Sequence, residues 1–405
     1  MSSIAANQGR TFLQLLAELS PFIRSDRNLP GRIQQRLAKE RRFGSRDRRL
    51  YRELLYTAVR FWPWIEEIAS RGESEMLRAC VWLAAPLPPL ATLRSQVAAE
   101  LGATPFGILD KARALGVSTP LLPTWIAHEA PEILLSPNVD YVHERAPLWL
   151  RLQTTRRDDV FAEFSERGWT WEHSPVFPEA VRLRSEADVT QTEAFQRGDI
   201  EVQDIGSQWV LAAAYSPCSD NPAAERWLDA CAGAGGKTLQ LARLLGSDGR
   251  VVAHDVRPEA LHELSERARR AGLRNVEIAR LPEGEFDGVV VDAPCSGSGT
   301  WRRSPHLKWC TGADSVQKAA QLQLTLLRRY AQHVRPGGRL IYATCSVCVS
   351  ENEEVVNAFL KDASAFSPAP TADRFGAEAR SVGHQLWPAT LDSDGFYAAS
   401  LVRAR

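Results

Sequence analysis

Two cysteines in short, unusual motifs are the residues of this chain best suited to chemistry. Cys295 lies within Asp-Ala-Pro-Cys-Ser-Gly, and Cys345 lies within Tyr-Ala-Thr-Cys-Ser. Each motif follows a run of strand-forming residues, and α/β folds bind their ligands at the carboxyl ends of strands. Because a thiolate is a strong nucleophile, this placement predicts thiolate chemistry on a ring bound at the edge of a sheet. A structural core thiol is the alternative for either cysteine taken alone.

A glycine-rich loop, Asp229-Ala-Cys-Ala-Gly-Ala-Gly-Gly-Lys-Thr238, precedes both cysteines and joins a predicted strand to a predicted helix. Its glycines let the backbone approach a ligand, and the helix N-terminus offers free N–H groups. Asp255 ends the next predicted strand, where an acidic side chain can hold ribose hydroxyls. The pair predicts a nucleoside cofactor, either NAD or S-adenosylmethionine. It is not a Walker A loop, because Cys231 stands where that motif requires glycine.

Three regions of different pattern must position these motifs. Residues 1 to about 140 show the apolar spacing of helices, and residues 141–215 mix short strands with a helix. From residue 216 strands alternate with helices, which predicts a parallel sheet with helices on both faces. The acids of Glu351-Asn-Glu353 are expected in the first turn of a helix, and residues 366–373 are expected to form a linker.

Composition narrows the class of protein. The chain has 405 residues, 44% of them hydrophobic, which predicts two or three packed domains. Its seven cysteines are scattered, which favours reduced thiols in the cytoplasm over a disulfide scaffold. We expect no membrane span, because no run of about 18 apolar residues occurs, and no secretory signal, because the N-terminus lacks a basic stretch followed by an apolar core. No metal ion is expected.

Positive charge is concentrated at the N-terminus. The net charge is zero overall, yet residues 1–60 hold 13 Lys and Arg against 5 Asp and Glu. Arginine dominates, with only 6 lysines among 49 basic residues. Since the guanidinium fork suits phosphates and base edges, this region predicts an RNA-binding lobe. Genomic base composition and a solvated helical face are the alternative explanation of the arginine bias.

Together the motifs carry a family resemblance. Cys-Ala-Gly-Ala-Gly-Gly-Lys-Thr from Cys231, the motif from Asp292 to Gly299, and Tyr-Ala-Thr-Cys-Ser with the following Glu-Asn-Glu closely resemble the RsmB/Sun-type RNA cytosine-5 methyltransferases. The resemblance covers about residues 145–405. Phe43-Gly-Ser-Arg-Asp-Arg-Arg49 resembles, more weakly, the NusB-like domain fused N-terminally in the bacterial branch, which methylates small-subunit rRNA.

The resemblance implies a multidomain fold. We expect an all-α NusB-like RNA-binding domain at 1–140, a small RRM-like α/β connector at 141–215, and a Rossmann-like class I methyltransferase α/β domain at 216–405. The implied cofactor is S-adenosylmethionine and the implied product is 5-methylcytosine in 16S rRNA. RNA is the expected partner, and a monomer is expected.

The resemblance also implies roles for individual residues. Cys345 would be the nucleophile that adds to C6 of cytosine, and Cys295 would assist release of the product. Spacing alone leaves this open, since cytosine-5 DNA methyltransferases use a cysteine that follows a proline. Asp292 would bond the base edge, and Lys237 would lie near the cytosine, where its cation could depress a thiol pKa. Cofactor contacts are expected from Cys231, Ala232, Gly233, Ala234, Gly235, Gly236, Lys237, Asp255, Arg257 and Asp292.

One departure and three rival functions accompany this hypothesis. Many members of the family carry an acidic residue after the third strand, whereas this chain reads Ile278-Ala-Arg-Leu-Pro-Glu283 there, so Glu283 or a backbone amide would contact the adenine. The rivals are the same reaction on tRNA, a non-catalytic RNA-binding assembly factor, and an NAD-dependent oxidoreductase. Retention of both cysteines, the lysine and Asp292 argues against the assembly factor, and an oxidoreductase has no use for the thiol motifs.

Overall fold

The computed structural model describes residues 2–184, 187–218, 224–369 and 375–405. The chain divides into two compact units. The first comprises Met1–Arg145 together with Thr300–Ala313, and the second comprises Ala146–Gly299 and Asp314–Arg405. The division expected at residues 140 and 215 remains a prediction.

The first unit is helical throughout, as the apolar spacing predicted. Its α3 shows why: Asp47 in the first turn accepts from Gly44 N at 3.2 Å, and Leu50 and Leu54 lie one turn apart on the buried face. The helices before residue 146 are α1 (Ser3–Leu19), α2 (Leu29–Lys39), α3 (Ser45–Arg60), α4 (Trp62–Ala69), α5 (Glu73–Leu83), α6 (Ala91–Val97), α7 (Ile108–Leu115), α8 (Ile126–Glu129) and α9 (Asn138–Val142).

The segment Thr300–Ala313 completes this unit from far along the chain. Lys308 is 1% exposed and its Nζ donates to the Arg60 carbonyl at 2.8 Å. Trp309 Nε1 donates to the Val59 carbonyl at 2.7 Å, so the segment satisfies carbonyls at the C-terminal end of α3 that the helix itself leaves free. Helical periodicity gives no signal for such a return of the chain.

The second unit begins with a four-stranded antiparallel sheet in the order β2-β3-β1-β4. Leu150 and Leu152 face one side and pack with Phe164, while Trp149 and Arg151 face the other and are also buried. The central strand β1 is therefore covered on both faces, and the RRM-like assignment of this region stays a prediction. Its elements and the helix that follows are β1 (Leu148–Leu152), α10 (Arg157–Glu166), β2 (Trp171–His173), β3 (Ala180–Leu183), α11 (Glu193–Gln196), β4 (Ile200–Val202) and α12 (Ile205–Ala214).

A nine-stranded mixed sheet forms the rest of this unit. Its path is β11-β12-β13-β9-β8-β5-β6-β7, and β10 pairs with β13. The elements are β5 (Arg226–Asp229), α13 (Gly236–Leu245), β6 (Arg250–Ala253), α14 (Pro258–Arg270), β7 (Val276–Ile278), β8 (Phe286–Asp292), α15 (Leu307–Cys310, in the first unit), α16 (Ala313–Ala331), β9 (Val334–Thr344), α17 (Glu353–Asp362), β10 (Phe366–Pro368), β11 (Glu378–Ala379), β12 (His384–Leu386), α18 (Pro388–Leu391) and β13 (Phe396–Arg403).

Helices cover both faces of this sheet, as predicted. Trp227 of β5 packs into a cluster with Leu241 of α13, whereas the next residue, Leu228, packs into a cluster with Leu327 of α16. Such alternation follows from the two-residue period of a strand. The five strands β5 to β9 pair in parallel. Strand β13 pairs antiparallel with β9, and β10 and β12 each pair antiparallel with β13. The expectation of a parallel sheet is therefore correct only for those five strands.

Two local predictions were wrong. Glu351 does not begin a helix, because it ends a short 3-10 turn (Val349–Glu351) and α17 starts at Glu353. Phe366–Pro368 is a strand, since it pairs with β13, while the remainder of the expected linker, residues 370–373, lies outside the described residues. Within the described part of the chain, no helix is long and apolar enough to cross a membrane.

Gly288 of β8 supplies a test of the sheet packing. A Cβ at this position would lie 2.4 Å from the Trp227 ring, so we expect Gly288→Ala to lower the free energy of unfolding by about 1–3 kcal/mol, as overpacked cores do. Urea denaturation measures it. Gly312→Ala is the control, because a Cβ there meets nothing within 4 Å. Equal stability of the two variants would contradict this packing.

Candidate active site

The carboxyl ends of three neighbouring parallel strands form the candidate site. On one side of β8, Val290 lies opposite Asp229 of β5, and on the other side Asp292 lies opposite Ala343 of β9. Cys345 directly follows β9. The register therefore brings the glycine-rich loop and both cysteine motifs to one edge of the sheet, as expected for an α/β fold.

The two cysteines lie side by side, with their Sγ atoms 3.3 Å apart. Backbone hydrogen bonds hold their loops together: Ala293 N donates to the Ala343 carbonyl at 2.9 Å, and Gly299 N donates to the Cys345 carbonyl at 3.0 Å. As residues, both cysteines are partly exposed at this edge of the sheet. One S–H can donate to the other sulfur.

Close contact between backbones makes Gly299 necessary. A Cβ on this residue would lie 2.1 Å from the Gly395 carbonyl oxygen. The same two residues are joined by a hydrogen bond of 2.8 Å from Gly395 N to the Gly299 carbonyl. The loop before β13 thus braces the cysteine loops.

The Cys295 thiol holds its proton firmly. Its hydrogen bond with Cys345, its burial and the nearby charge of Glu351 raise its pKa well above the ordinary value. The suggestion that the Lys237 cation depresses a thiol pKa does not hold for Cys295, because Lys237 is paired with a carboxylate instead. Cys295 is therefore poorly suited to attacking as a thiolate, and its retained S–H is suited to donating a hydrogen bond to the Cys345 sulfur.

Lys237 and Asp292 form an ion pair beside the cysteines. Lys237 Nζ donates to Asp292 Oδ2 at 2.8 Å and to Ser207 Oγ at 3.1 Å, and it lies 5.2 Å from the centre of the Phe396 ring. The lysine side chain is 8% exposed and the aspartate side chain 30%. The carboxylate is thus the member of the pair that a substrate can reach.

Asp255 holds the glycine-rich loop in shape. Its Oδ2 accepts from Gly233 N at 2.8 Å, and its Oδ1 accepts from Arg257 Nε at 3.0 Å. Gly235 has a φ of +92°, and a Cβ there would lie 2.7 Å from Leu264 Cγ. Arg257, predicted as a cofactor contact, is here the partner of Asp255.

Asp229 is buried at the end of β5 with one oxygen uncommitted. Thr238 Oγ1 donates to its Oδ2 at 2.7 Å, while its Oδ1 has no hydrogen-bond partner within the described protein. Burial raises the pKa of this carboxyl from 3.8 to about 7. The Cys231 backbone N–H also acts on this carboxyl, and an Oδ1 without a full hydrogen bond leaves room for one more donor, such as a cationic group of a ligand.

The remaining loop residues contribute mainly backbone. Ala232 N donates to the His254 carbonyl at 2.9 Å, Ala234 O accepts from Arg267 at 2.6 Å, and Gly236 O accepts from Arg151 at 2.9 Å. The Cys231 thiol is only partly exposed, and burial raises its pKa, so it is a poor nucleophile.

Sequence reasoning missed the charged residues behind this loop. Arg151 of β1 bonds Gln203 Oε1 at 2.7 Å as well as Gly236 O, and burial lowers its pKa to about 9. Glu201 of β4 accepts from Arg267 at 2.8 Å, which ties β4 to the loop through Ala234. The available signal was an arginine within a strand, Leu-Trp-Leu-Arg-Leu, that is apolar on both faces.

Comparisons with known proteins agree with this geometry. Residues 218–402 match the family described as 16S rRNA methyltransferase RsmB/F. The ribosomal RNA small subunit methyltransferase B of Klebsiella pneumoniae strain 342 is 34% identical over 278 residues, which cover 66% of this chain but only 62% of that relative. The protein of the same name from Vibrio vulnificus strain YJ016 is 31% identical over 405 residues, covering 88% of this chain and 92% of the relative.

A solved structure shows the same fold. The chain in the crystal structure of PH0851 is 22% identical in sequence to this one, and the two superpose with a TM-score of 0.69. The match covers 91% of this chain and 93% of the PH0851 chain. The helical N-terminal region and the mixed sheet with flanking helices thus follow a known Rossmann-like methyltransferase architecture.

The raised pKa of Asp229 predicts a pH dependence of stability. Between about pH 4 and 7 the folded chain binds more protons at this carboxyl than the unfolded chain, so the free energy of unfolding falls as pH rises, by at most about 1.4 kcal/mol per pH unit. Asp229→Asn should flatten this slope. Denaturant titrations at several pH values measure it.

Asp248→Asn, at an exposed carboxyl of the same unit, is the control and should leave the slope as it is in the wild type. An Asp229→Asn variant with the wild-type slope would show that Asp229 titrates normally in the folded protein.

Proposed function

This chain belongs to the RsmB/F family of 16S rRNA methyltransferases, and from that premise we propose that it methylates C5 of a cytosine in small-subunit rRNA, with S-adenosylmethionine as methyl donor. The observation that carries the proposal is the pair of thiols 3.3 Å apart at the strand edge. An ion pair that offers its carboxylate to a base lies beside them.

The glycine-rich loop fits S-adenosylmethionine. The uncommitted Oδ1 of Asp229 suits the ammonium of an amino acid moiety, and Asp255 suits ribose hydroxyls. Val256, next to Asp255, is 79% exposed and offers an apolar surface to an adenine ring. When bound, S-adenosylmethionine supplies an electrophilic methyl group.

The two cysteines are proposed to overcome the low nucleophilicity of cytosine C5. C5 of cytosine is a weak nucleophile, and addition of a thiolate to C6 makes C5 enamine-like. We assign this addition to Cys345. Once C5 carries the methyl group, its proton passes to solvent water, and the Cys345 sulfur is eliminated from C6 as a thiolate, which restores the aromatic ring.

Cys295 and Asp292 have supporting roles in this scheme. The Cys295 thiol keeps its proton and donates a hydrogen bond to the Cys345 sulfur, which stabilises that sulfur as it leaves the product. The Asp292 carboxylate accepts from the base edge, and Lys237 fixes its orientation through the 2.8 Å ion pair. These groups must approach both the face and the edge of the ring, so the target cytosine must leave its stack.

The first unit is proposed to bind the RNA as a NusB-like domain. Its basic side chains Arg41, Arg42, Arg46, Arg49 and Arg52 are exposed in and just before α3. Exposed guanidinium groups contact phosphates, so binding should weaken steeply as salt rises. RNA with accessible bases in loops or bulges is the expected substrate.

Methyl transfer from labelled S-adenosylmethionine to unmodified small-subunit rRNA tests the reaction. We expect the wild type to form 5-methylcytosine, Cys345→Ala to lose activity by at least about a thousandfold because no nucleophile remains, and Cys295→Ala to accumulate a covalent protein–RNA adduct. Gel electrophoresis under denaturing conditions detects the adduct.

The outcomes separate the alternatives. If Cys345→Ala accumulates the adduct instead, the two cysteines exchange roles. Methyl transfer to tRNA but not to rRNA would show that tRNA is the substrate. A wild type that is inactive on both RNAs would favour a non-catalytic assembly factor.

Reversing two exposed arginines tests the RNA-binding role of the first unit. The Arg46→Glu, Arg49→Glu double variant should weaken RNA binding roughly tenfold or more at moderate salt and reduce its salt dependence, since phosphate contacts are lost. S-adenosylmethionine affinity, measured by calorimetry, should stay unchanged.

The control is Arg113→Glu with Arg274→Glu, which makes the same change in net charge at exposed positions elsewhere. Equal loss of RNA binding in the two double variants would show that only net charge matters, and would contradict a dedicated surface on α3.

A further inference from the structure

One buried carboxylate contacts both cysteine loops. Glu351 is 0% exposed. Its Oε1 accepts from Ser296 N at 2.7 Å, and its Oε2 accepts from Ser346 Oγ at 2.6 Å and from the Ser296 hydroxyl. Gln323 Nε2 adds a fourth hydrogen bond to Oε1 at 3.0 Å.

The two serines are the immediate neighbours of the two cysteines. Ser296 follows Cys295, and Ser346 follows Cys345. A second link joins the loops, because Ser298 Oγ and Ser346 Oγ are 2.9 Å apart. The carboxylate therefore lies where the two loops meet, and its two oxygens share donors from both.

The charge of Glu351 has no ion-pair partner within the described chain. Burial of a carboxylate without a cation is expensive, and hydrogen bonds to neutral donors offset only part of the cost. A glutamine or an apolar side chain would fill the same space at a smaller desolvation free energy. An unneutralised charge at this point is thus explained best by what it does to its neighbours.

We propose that Glu351 is the positioning residue of the site, which holds the Cys295 and Cys345 loops in register and keeps Cys295 as the protonated member of the pair. The second part rests on the proposed function of the two thiols. The first part requires only the contacts of the carboxylate.

The hydrogen bond with Cys345, burial and the charge of Glu351 disfavour the Cys295 thiolate, while a hydrogen bond from the Gly297 backbone N–H favours it. Tyr342 is buried alongside, where its hydroxyl donates to the Glu351 carbonyl at 2.6 Å, and Asp292 nearby is paired with Lys237. Removing the charge of Glu351 should therefore make Cys295 easier to ionise.

Thiol alkylation measures this without RNA or methyl donor. Full-length protein is treated with iodoacetamide across a pH series, and peptide mass spectrometry resolves the two cysteines. Relative to the wild type, Glu351→Gln should move the midpoint of Cys295 alkylation down by on the order of one pH unit. Glu351→Asp, which keeps the charge, should restore most of the shift. Glu354→Gln, at an exposed acid on α17, is the matched control and should leave the midpoint unchanged.

Methyl transfer supplies the second readout. Glu351→Gln should lower kcat at least about tenfold with little change in the KM for RNA, because binding surfaces are intact and only the thiol geometry is lost. Ser346→Ala, which removes one contact to the carboxylate, should lower kcat in the same manner but more weakly. If Glu351→Gln fails to fold, the kcat of Ser346→Ala tests the proposal in its place.

An unmoved alkylation midpoint in folded Glu351→Gln, or wild-type kcat in Ser346→Ala, overturns the proposal. A shifted midpoint in a protein whose wild type methylates no RNA would leave the role of Glu351 standing and reject the proposed function instead.

Discussion

The register between β8 and β9 is the constraint on which the site depends. Asp292 opposite Ala343 sets the level at which both strands end, and the two cysteine loops begin from that level. A shift of one residue would turn every side chain of a strand to the other face of the sheet. The 3.3 Å distance between the thiols is thus a property of a buried sheet rather than of flexible loops.

Behind that edge lies a layer of buried polar groups. Arg151, Lys237, Asp229 and Glu351 are each less than a tenth exposed and are held chiefly by hydrogen bonds to neutral groups or by a single ion pair. Such groups lower stability relative to an apolar core, and a half-satisfied network costs more than a complete one. We infer that the fold tolerates them because they orient the glycine-rich loop, the Asp292 carboxylate and the two cysteine loops.

The small sheet β1–β4 has a comparable supporting part. Its strands carry Arg151 and Glu201, which reach the carbonyls of Gly236 and Ala234 directly or through Arg267. The sheet therefore acts as a brace for the glycine-rich loop, and its central strand β1 is buried on both faces.

The sequence predicted well what local physics determines. The strands Arg226–Asp229 and Phe286–Asp292 lie where the sequence predicted strands before the glycine-rich loop and before the Cys295 motif, because apolar residues there end at glycine and proline loop signals. The structure brings the glycine-rich loop and both cysteine motifs to one edge of the sheet, and the roles of their residues remain predictions. The position of Glu351 was predicted wrongly, since acids after a strand also suit a helix start, and only the fold shows that the distant Ser296 and the nearby Ser346 both bond it.

The interrupted first unit has a consequence for biosynthesis. Its first nine α-helices end by residue 145, yet its packing is completed by Thr300–Ala313, where Trp301 is fully buried. A nascent chain emerges N-terminus first, so the helical unit cannot close its core until more than half of the second unit has been translated. The first unit consequently cannot finish folding before most of the second unit has been synthesised. No single cut of the chain would separate the two units into two complete folding units.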